Sequence, residues 1–140
     1  MTLFDSSVII DARDKNSVWH VWAIEQIKHF ASTEGAAVNV VALAEVSVRV
    51  ENPETVAELL RGWGMEMLPL PVSSAAPAAR ACARHLSRRD KTLPNIPQMP
   101  QPDFFIGAHA EAEGMKLVTR DPGRIKTYFP SVKLIVPQKV

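Results

Sequence analysis

Residues 37–50 of the chain read AVNVVALAEVSVRV, and this stretch decides the class of fold. The short apolar run over residues 37–40 predicts a strand. Asn39 lies at the end of that run, and its side-chain oxygen can cap a helix that continues through Val50. A strand that passes directly into a helix is the repeating unit of α/β proteins. The stretch therefore predicts one such unit, with Glu45 inside its helix.

The same alternation continues in both directions along the chain. Further strands are predicted at residues 3–4, 65–70, 116–119 and 132–136. Helices are predicted over residues 17–33, 53–62, 73–89 and 103–114, with a short one after Asp121-Pro122. Residues 90–102 hold four prolines, which is typical of an irregular loop. We therefore expect one domain, residues 1–140, with a three-layer α/β/α fold and a five-stranded parallel sheet.

Composition limits the classes of protein that remain. The 140 residues are 46% apolar and 22% charged, as in an ordinary globular domain. Cys82 is the single cysteine, so an intramolecular disulfide is impossible, and the four histidines show no zinc-site spacing. The start MTLFD does not resemble a signal peptide, and no apolar run reaches the roughly 18 residues of a membrane helix. The expectation is a cytoplasmic protein without a membrane partner.

Charge is distributed unevenly along the chain. Residues 1–70 carry a net charge of −5, whereas residues 71–140 carry +6. Within the basic half, four cations recur at helical spacing: Arg80, Arg84, Arg88 and Lys91. This pattern indicates either a surface that follows the phosphates of RNA or a solvated basic face.

Four acidic residues are expected at one edge of the sheet. Asp5 and Asp121 follow the first and fourth strands, Asp103 follows Pro102 at a helix start, and Glu45 lies in an apolar helix after the second strand. In open parallel sheets, ligands bind beyond the carboxyl ends of the strands. Each acid also has an interpretation without chemistry. Asp5 and Asp121 could cap helices, Asp103 could favour a helix dipole, and Glu45 could be exposed.

A cluster of four carboxylates requires a cation. Two unit charges roughly 4 Å apart repel by about 4 kcal/mol at an effective dielectric constant near 20. Oxygen-only ligands favour Mg²⁺ or Mn²⁺, and the absence of a nearby His or Cys argues against zinc. The chemistry that fits such a site is in-line displacement at phosphorus by a metal-activated water.

Four motifs in order resemble those of PIN-domain nucleases. The first is residues 3–11, LFDSSVIID, and the second runs from Asn39 through Glu45. The third is residues 103–110, DFFIGAHA, and the fourth is residues 117–121, LVTRD. The end of the chain, YFP at 128–130 and LIVP at 134–137, is similar to the VapC-like ribonucleases of toxin–antitoxin pairs. The resemblance spans essentially the whole chain.

This resemblance implies both an activity and partners. Asp5, Glu45, Asp103 and Asp121 would coordinate Mg²⁺ or Mn²⁺ and cut RNA, and a homodimer would be neutralised by a small antitoxin. Ser6 or Ser7 and Thr119 would orient the carboxylates through their hydroxyls, while Arg120 would contact substrate phosphate or hold an acid in place. The helix with Trp19 and Trp22 is the expected wall of the antitoxin groove, although tryptophans are more often core residues. Asp11 is expected at a turn or cap, with a supporting role at the site as the alternative.

Three other functions compete with the toxin. A non-toxin nuclease of the PIN type would use the same acids. A phosphohydrolase with an aspartyl nucleophile would need a second acid two residues after Asp5, where this chain has Ser7. An RNA-binding module without catalysis would bind RNA in the absence of metal and would tolerate Asp5→Asn.

Overall fold

The computed structural model describes residues 1–88 and 100–138. The strands among these residues form a single five-stranded sheet. Its strands are β1 (Thr2–Phe4), β2 (Ala36–Asn39), β3 (Met65–Leu68), β4 (Lys116–Val118) and β5 (Leu134–Ile135). All neighbouring strands are parallel, in the order β3-β2-β1-β4-β5. The predicted number and direction of the strands are thus confirmed, although β5 is shorter than predicted.

The strand order reverses at β1, which lies in the centre of the sheet. Leu3 is aligned with Ala37 of β2 on one side and with Leu117 of β4 on the other. Every residue of β1 and β2 is buried. Because successive side chains of a strand point to opposite faces, both faces of the sheet are covered. The three-layer α/β/α arrangement is therefore confirmed.

Helices connect the strands. Their bounds are α1 (Ser6–Arg13), α2 (His20–Ala31), α3 (Val40–Ser47), α4 (Thr55–Gly62), α5 (Ala75–Ser87), α6 (Pro102–Glu113) and α7 (Gly123–Tyr128), and a 3-10 turn at Val72–Ser74 precedes α5. Among the described residues, no helix has the length and apolar composition needed to span a membrane. The predicted loop over residues 90–102 lies largely outside the described residues, and its last residue, Pro102, is the first residue of α6.

Helix α1 has no counterpart among the sequence predictions. Its buried face contains Ser6, Ser7 and Asp11 as well as Val8 and Ile9, so polar residues interrupt the apolar pattern. Because polar residues occupy part of the buried face, apolar residues do not recur over enough turns to predict a helix from the sequence. The polar residues are buried there because they contact residues of the candidate site.

Asn39 and Gly107 position two of the helices around that site. Asn39 caps α3, since its side-chain oxygen accepts the N–H of Ala42 at 2.9 Å, as the sequence predicted. Gly107 allows α6 to pack closely against the segment after α7. A Cβ atom at this position would lie 2.5 Å from Cδ2 of Phe129, so only glycine fits without movement of the ring.

Candidate active site

The four predicted acids line one cavity of about 350 Å³ at the carboxyl edge of the sheet. Asp5 directly follows β1, and Asp121 lies three residues after the end of β4. Glu45 extends from α3, and Asp103 lies in the first turn of α6. The cavity therefore lies beside β1, where the strand order reverses, which is the usual ligand position in such sheets.

Asp5 is held by two hydroxyl groups rather than by a helix end. It occupies the N-cap position of α1, yet its side chain makes no capping hydrogen bond. Its Oδ2 accepts the hydroxyl of Ser7 at 2.8 Å and that of Thr119 at 2.9 Å. The capping interpretation of Asp5 is therefore wrong, and these two hydroxyls fix the orientation of its carboxylate.

Glu45 is half-buried and receives a hydrogen bond from Ser6 Oγ at 3.0 Å. Burial raises the pKa of the Glu45 carboxyl above its usual value. The hydrogen bond from Ser6 opposes this shift, while the negative charges of Asp5 and Asp103 add to it. Glu45 is thus not an exposed surface acid, and it experiences the charge of two other acids of the cavity.

Asp103 is paired with a cation that the sequence analysis did not identify. Both oxygens of its carboxylate lie 3.4 Å from Nη1 of Arg124. Arg124 also contacts Gln101 and lies 5.8 Å from the centre of the Phe104 ring. Arg124 and Gln101 both line the cavity. The sequence feature that could have identified Arg124 is its position three residues after Asp121, at the start of α7.

Asp121 is the most exposed of the four acids. Helix α7 begins at Gly123 with Pro122 at its cap position, and no side chain caps it. The interpretation of Asp121-Pro122 as a capping pair is therefore wrong. Instead, the N–H of Asp121 donates to Thr119 Oγ1 at 3.1 Å, which links Asp121 to the hydroxyl that also holds Asp5.

Asp11 and Arg120 form an ion pair beside the cavity. Asp11 lies inside α1 with its side chain buried, so the expectation of a turn or cap residue is wrong. Its Oδ2 lies 3.0 Å from Nε of Arg120, in an orientation that is not aligned for a hydrogen bond. Of the two roles considered for Arg120, the structure shows contact with an acid, although that acid is Asp11 and not one of the four.

The basic residues on and after α5 have unequal surroundings. Arg80, Arg84 and Arg88 are exposed, and Lys91 lies outside the described residues. Nη2 of Arg84 donates to the backbone oxygen of Tyr128 at 2.8 Å, so this arginine fastens α5 to the end of α7. The guanidinium of Arg88 lies 5.4 Å from the centre of the Tyr128 ring. Binding of a phosphate by Arg84 would therefore require this hydrogen bond to Tyr128 to break.

The donor set fits a hard divalent cation, but the carboxylates stand apart. Within residues 1–88 and 100–138, no three acidic, histidine or cysteine side chains lie close enough to hold an ion between them. Mutual repulsion and the Arg124–Asp103 pair both favour such separation. Four carboxylates and two serine hydroxyls, with no histidine or cysteine among the residues that line the cavity, match the preference of Mg²⁺ or Mn²⁺ for oxygen.

The tryptophans of the predicted groove are half-buried. Trp19 precedes α2, and Trp22 lies in its first turn and packs against the core. Val18 and Val21, beside them, are 86% and 65% exposed. Together these four residues form the apolar patch. A second apolar cavity, between α2 and α4, includes Ile24, Ile27 and Trp63 in its lining.

The chain matches the family model of the PIN domain over residues 2–129, and it therefore belongs to the PIN domain family. PIN domains are generally nucleases. The resemblance recognised in the four sequence motifs is thereby confirmed. No curated protein matches the sequence of the chain.

Several solved structures are similar to the chain over its whole length. VapBC2 from Rickettsia felis, bound to a DNA fragment from its promoter, is 17% identical with a TM-score of 0.70, and 98% of each chain is covered. DNA-bound VapBC from Salmonella typhimurium is 18% identical with a TM-score of 0.64, covering 97% of this chain and 98% of that one. A toxin–antitoxin complex from Klebsiella pneumoniae is 18% identical with a TM-score of 0.61, and both chains are covered completely. At these identities the likeness shows a shared fold.

Proposed function

We propose that this protein is an endoribonuclease that depends on Mg²⁺ or Mn²⁺. The observation that carries the proposal is the arrangement of Asp5, Glu45, Asp103 and Asp121 around one cavity at the point where the strand order reverses. Membership of the PIN family supports nuclease chemistry. The unfavourable charge on this cluster supports a divalent cation, which would neutralise it.

The four acids would hold the cation, and the surrounding residues would position them. A bound divalent cation supplies a more acidic water and stabilises the oxygen that leaves phosphorus. Ser7 and Thr119 fix the Asp5 carboxylate, and Ser6 fixes Glu45. Arg124 lies in the same cavity, where it can exchange Asp103 for a phosphate of the substrate.

A continuous basic strip supports RNA as the substrate. Arg124 and Tyr128 are four residues apart on α7 and therefore lie on one face of the helix. Arg88, the residue directly after α5, lies over the Tyr128 ring, and Arg80 lies on α5 about two turns earlier. Cations in such a strip would follow the phosphates of a strand that enters the cavity.

Incubation of the pure protein with total RNA tests this proposal. We expect cleavage with Mg²⁺ or Mn²⁺, none with a chelator, and recovery when the metal is restored. Asp103→Asn should abolish cleavage, whereas Glu113→Gln, an exposed acid on the same helix, should retain it. Cleavage by Asp103→Asn at the wild-type rate would refute the assignment. Tight binding of RNA without any cleavage would favour an RNA-binding module instead.

We further propose that the protein acts in the cytoplasm as the toxin of a toxin–antitoxin pair. One of the similar solved structures is a toxin–antitoxin complex, and the end of the chain is similar to VapC-like ribonucleases. Expression of the chain alone should then arrest bacterial growth, whereas expression of Asp5→Asn should not. Normal growth at a high level of the wild-type protein would refute the toxin role and leave a PIN nuclease of another kind.

The apolar patch at the start of α2 is the surface we assign to a small antitoxin. Exposed Val18 and Val21 beside half-buried Trp19 and Trp22 offer a surface on which an amphipathic helix can pack. Val21→Asp should weaken neutralisation of growth arrest by a co-expressed antitoxin and should leave RNA cleavage unchanged. Val72→Asp, at an exposed valine far along the chain, is the matched control.

The face formed by α3 and the start of α6 is the surface we assign to a second copy of the chain. Val40 and Val48 are exposed there, next to an open cavity lined by Val41, Ala44, Glu45 and Phe105. Packing of two such faces would bury apolar area beside each acid cluster. Light scattering should give twice the mass of the chain, and Val48→Glu should give the single mass. A wild-type monomer would refute the homodimer.

A further inference from the structure

Asp11 is a buried carboxylate that the proposed reaction does not use. Only 5% of its side chain is exposed. A buried carboxylate is costly unless it is paired and hydrogen-bonded. Its Oδ1 accepts the hydroxyl of Ser17 at 2.9 Å, and its Oδ2 lies 3.0 Å from Nε of Arg120. Asp11 is therefore hydrogen-bonded through Ser17 and paired by charge with Arg120, although the Oδ2–Nε contact itself is not aligned for a hydrogen bond. The position of this ion pair in the fold suggests what it does.

The pair joins the two segments that carry Asp5 and Asp121. Arg120 lies between Thr119 and Asp121, in the segment after β4, while Asp11 lies on α1, which begins directly after Asp5. The N–H of Arg120 also donates to Ser7 Oγ at 3.3 Å. Ser7 and Asp11 are four residues apart and share one face of α1. Segment 119–121 is thus attached to α1 at two points, one helical turn apart.

Both hydroxyls that orient Asp5 come from these same two segments. Ser7 on α1 and Thr119 after β4 donate to the same oxygen, Oδ2. The N–H of Asp121 donates to Thr119 Oγ1. A shift of segment 119–121 relative to α1 would therefore displace the Asp121 carboxylate and rotate that of Asp5.

We propose that Asp11 and Arg120 are positioning residues whose ion pair sets the spacing of Asp5 and Asp121, and with it the affinity of the cavity for its divalent cation. The inference rests on the proposed function, because it assumes that these acids bind the cation. Residues that orient metal ligands typically alter metal affinity by about 10–100-fold. Removal of the pair should produce a loss of that size without removal of any ligand.

Titration of Mn²⁺ into the pure, RNA-free protein measures this affinity independently of cleavage. Asp11→Asn keeps an oxygen for Ser17 and removes the charge, and Arg120→Gln removes the partner charge. Each should raise the Kd for Mn²⁺ about 10-fold or more. The double variant should bind no more weakly than either single variant, because the two residues act as one unit. Arg120→Lys, which keeps the charge, should fall between wild type and Arg120→Gln.

Glu34→Gln is the matched control. Glu34 pairs with Lys116 at 3.1 Å and receives a hydrogen bond from Thr2, so it joins elements at the opposite end of β1 and β4. This variant should bind Mn²⁺ like the wild type. The titrations are made well below the melting temperature of every variant, which is measured separately without metal. A variant that is less stable but binds Mn²⁺ with unchanged affinity has lost only a structural contact.

The possible outcomes separate the inference from the proposed function. If the wild type binds Mn²⁺ and both single variants bind it equally well, the positioning role is overturned while the proposed function stands. If the losses of the two single variants multiply in the double variant, Asp11 and Arg120 do not act as a pair. If the wild type binds no Mn²⁺, or Asp5→Asn binds it as tightly as the wild type, the proposed metal site fails, and the inference fails with it. If Asp11→Asn does not fold, the two Arg120 variants decide alone, since 35% of that side chain is exposed.

Discussion

Replacement of Asn39 tests how the fold holds the helix that carries Glu45. Asn39 is buried, and its side-chain oxygen accepts the N–H of Ala42 at 2.9 Å. Because the oxygen is engaged there, the amide nitrogen faces His109, whose Nδ1 lies 3.2 Å away. Nδ1 must therefore accept a hydrogen bond and carry no proton. Burial lowers the pKa of His109 below its usual value, which agrees with a neutral ring.

The two contacts of Asn39 can be measured separately. Asn39→Ser keeps a capping oxygen but does not reach His109. It should lower the free energy of unfolding by about 1–3 kcal/mol, because Nδ1 of His109 would remain a buried acceptor without a partner. Asn39→Ala also loses the cap, which adds about 1 kcal/mol. The expected total for Asn39→Ala is about 2–4 kcal/mol. For a domain of this size that corresponds to a decrease in Tm of roughly 8–16 °C.

Thermal unfolding followed by circular dichroism at several pH values provides the assay. His109 has a lower pKa in the folded than in the unfolded protein, so the unfolded chain takes up the proton first as the pH falls. Stability contributed by the neutral ring is complete above about pH 6.5 and is lost as the pH decreases towards the folded pKa. Subtraction of the profile of His109→Gln isolates this part from the other histidines. Equal stability of Asn39→Ala and wild type, or of Asn39→Ala and Asn39→Ser, would refute the reasoning.

Three further changes have defined outcomes. Gly107→Ala places a Cβ atom 2.5 Å from Phe129 and should cost roughly 1–3 kcal/mol in urea unfolding, and an unchanged unfolding midpoint would contradict that packing. Because the pKa of Glu45 is raised, the ionised carboxylate destabilises the metal-free fold as the pH rises above 4.5. Glu45→Gln should therefore melt higher than the wild type at pH 7 without metal, and Mg²⁺ should reverse that order. Arg84→Ala should lower the Tm, because it removes the hydrogen bond from Arg84 to the end of α7. Arg80→Ala should leave the Tm unchanged and should reduce the salt dependence of RNA binding by about one phosphate contact. Identical behaviour of the two variants would refute this distinction.

The sheet and the convergence of the acids could be predicted because their signals are local. Short apolar runs followed by capping residues define strand–helix units, and Asn39 caps α3 at the predicted position. Once parallel strands are expected, the acids that follow them must lie at one edge. Asp5 and Asp121 therefore reach the same cavity although 116 residues separate them along the chain.

The contacts within the site could not be predicted, because they depend on packing between distant segments. Nothing in the sequence around Asp103 indicates that Arg124 pairs with it, and Asp11 meets Arg120 across 109 residues. The same cause concealed α1, whose buried face contains polar residues that serve the site. Asp5 and Asp121 resembled helix caps for a related reason, since residues that follow a strand and precede a helix suit both roles.

The central claim is that the four acids form one catalytic unit, and single-turnover cleavage of a fluorescent RNA tests it most directly. Asp5→Asn, Asp121→Asn and the double variant are compared at saturating Mg²⁺ with enzyme in excess. Each single variant should lose activity by at least about 100-fold, and the double variant should lose no more, because residues that act as a unit do not contribute independently. Cleavage by Asp121→Asn near the wild-type rate, or losses that multiply in the double variant, would contradict the account.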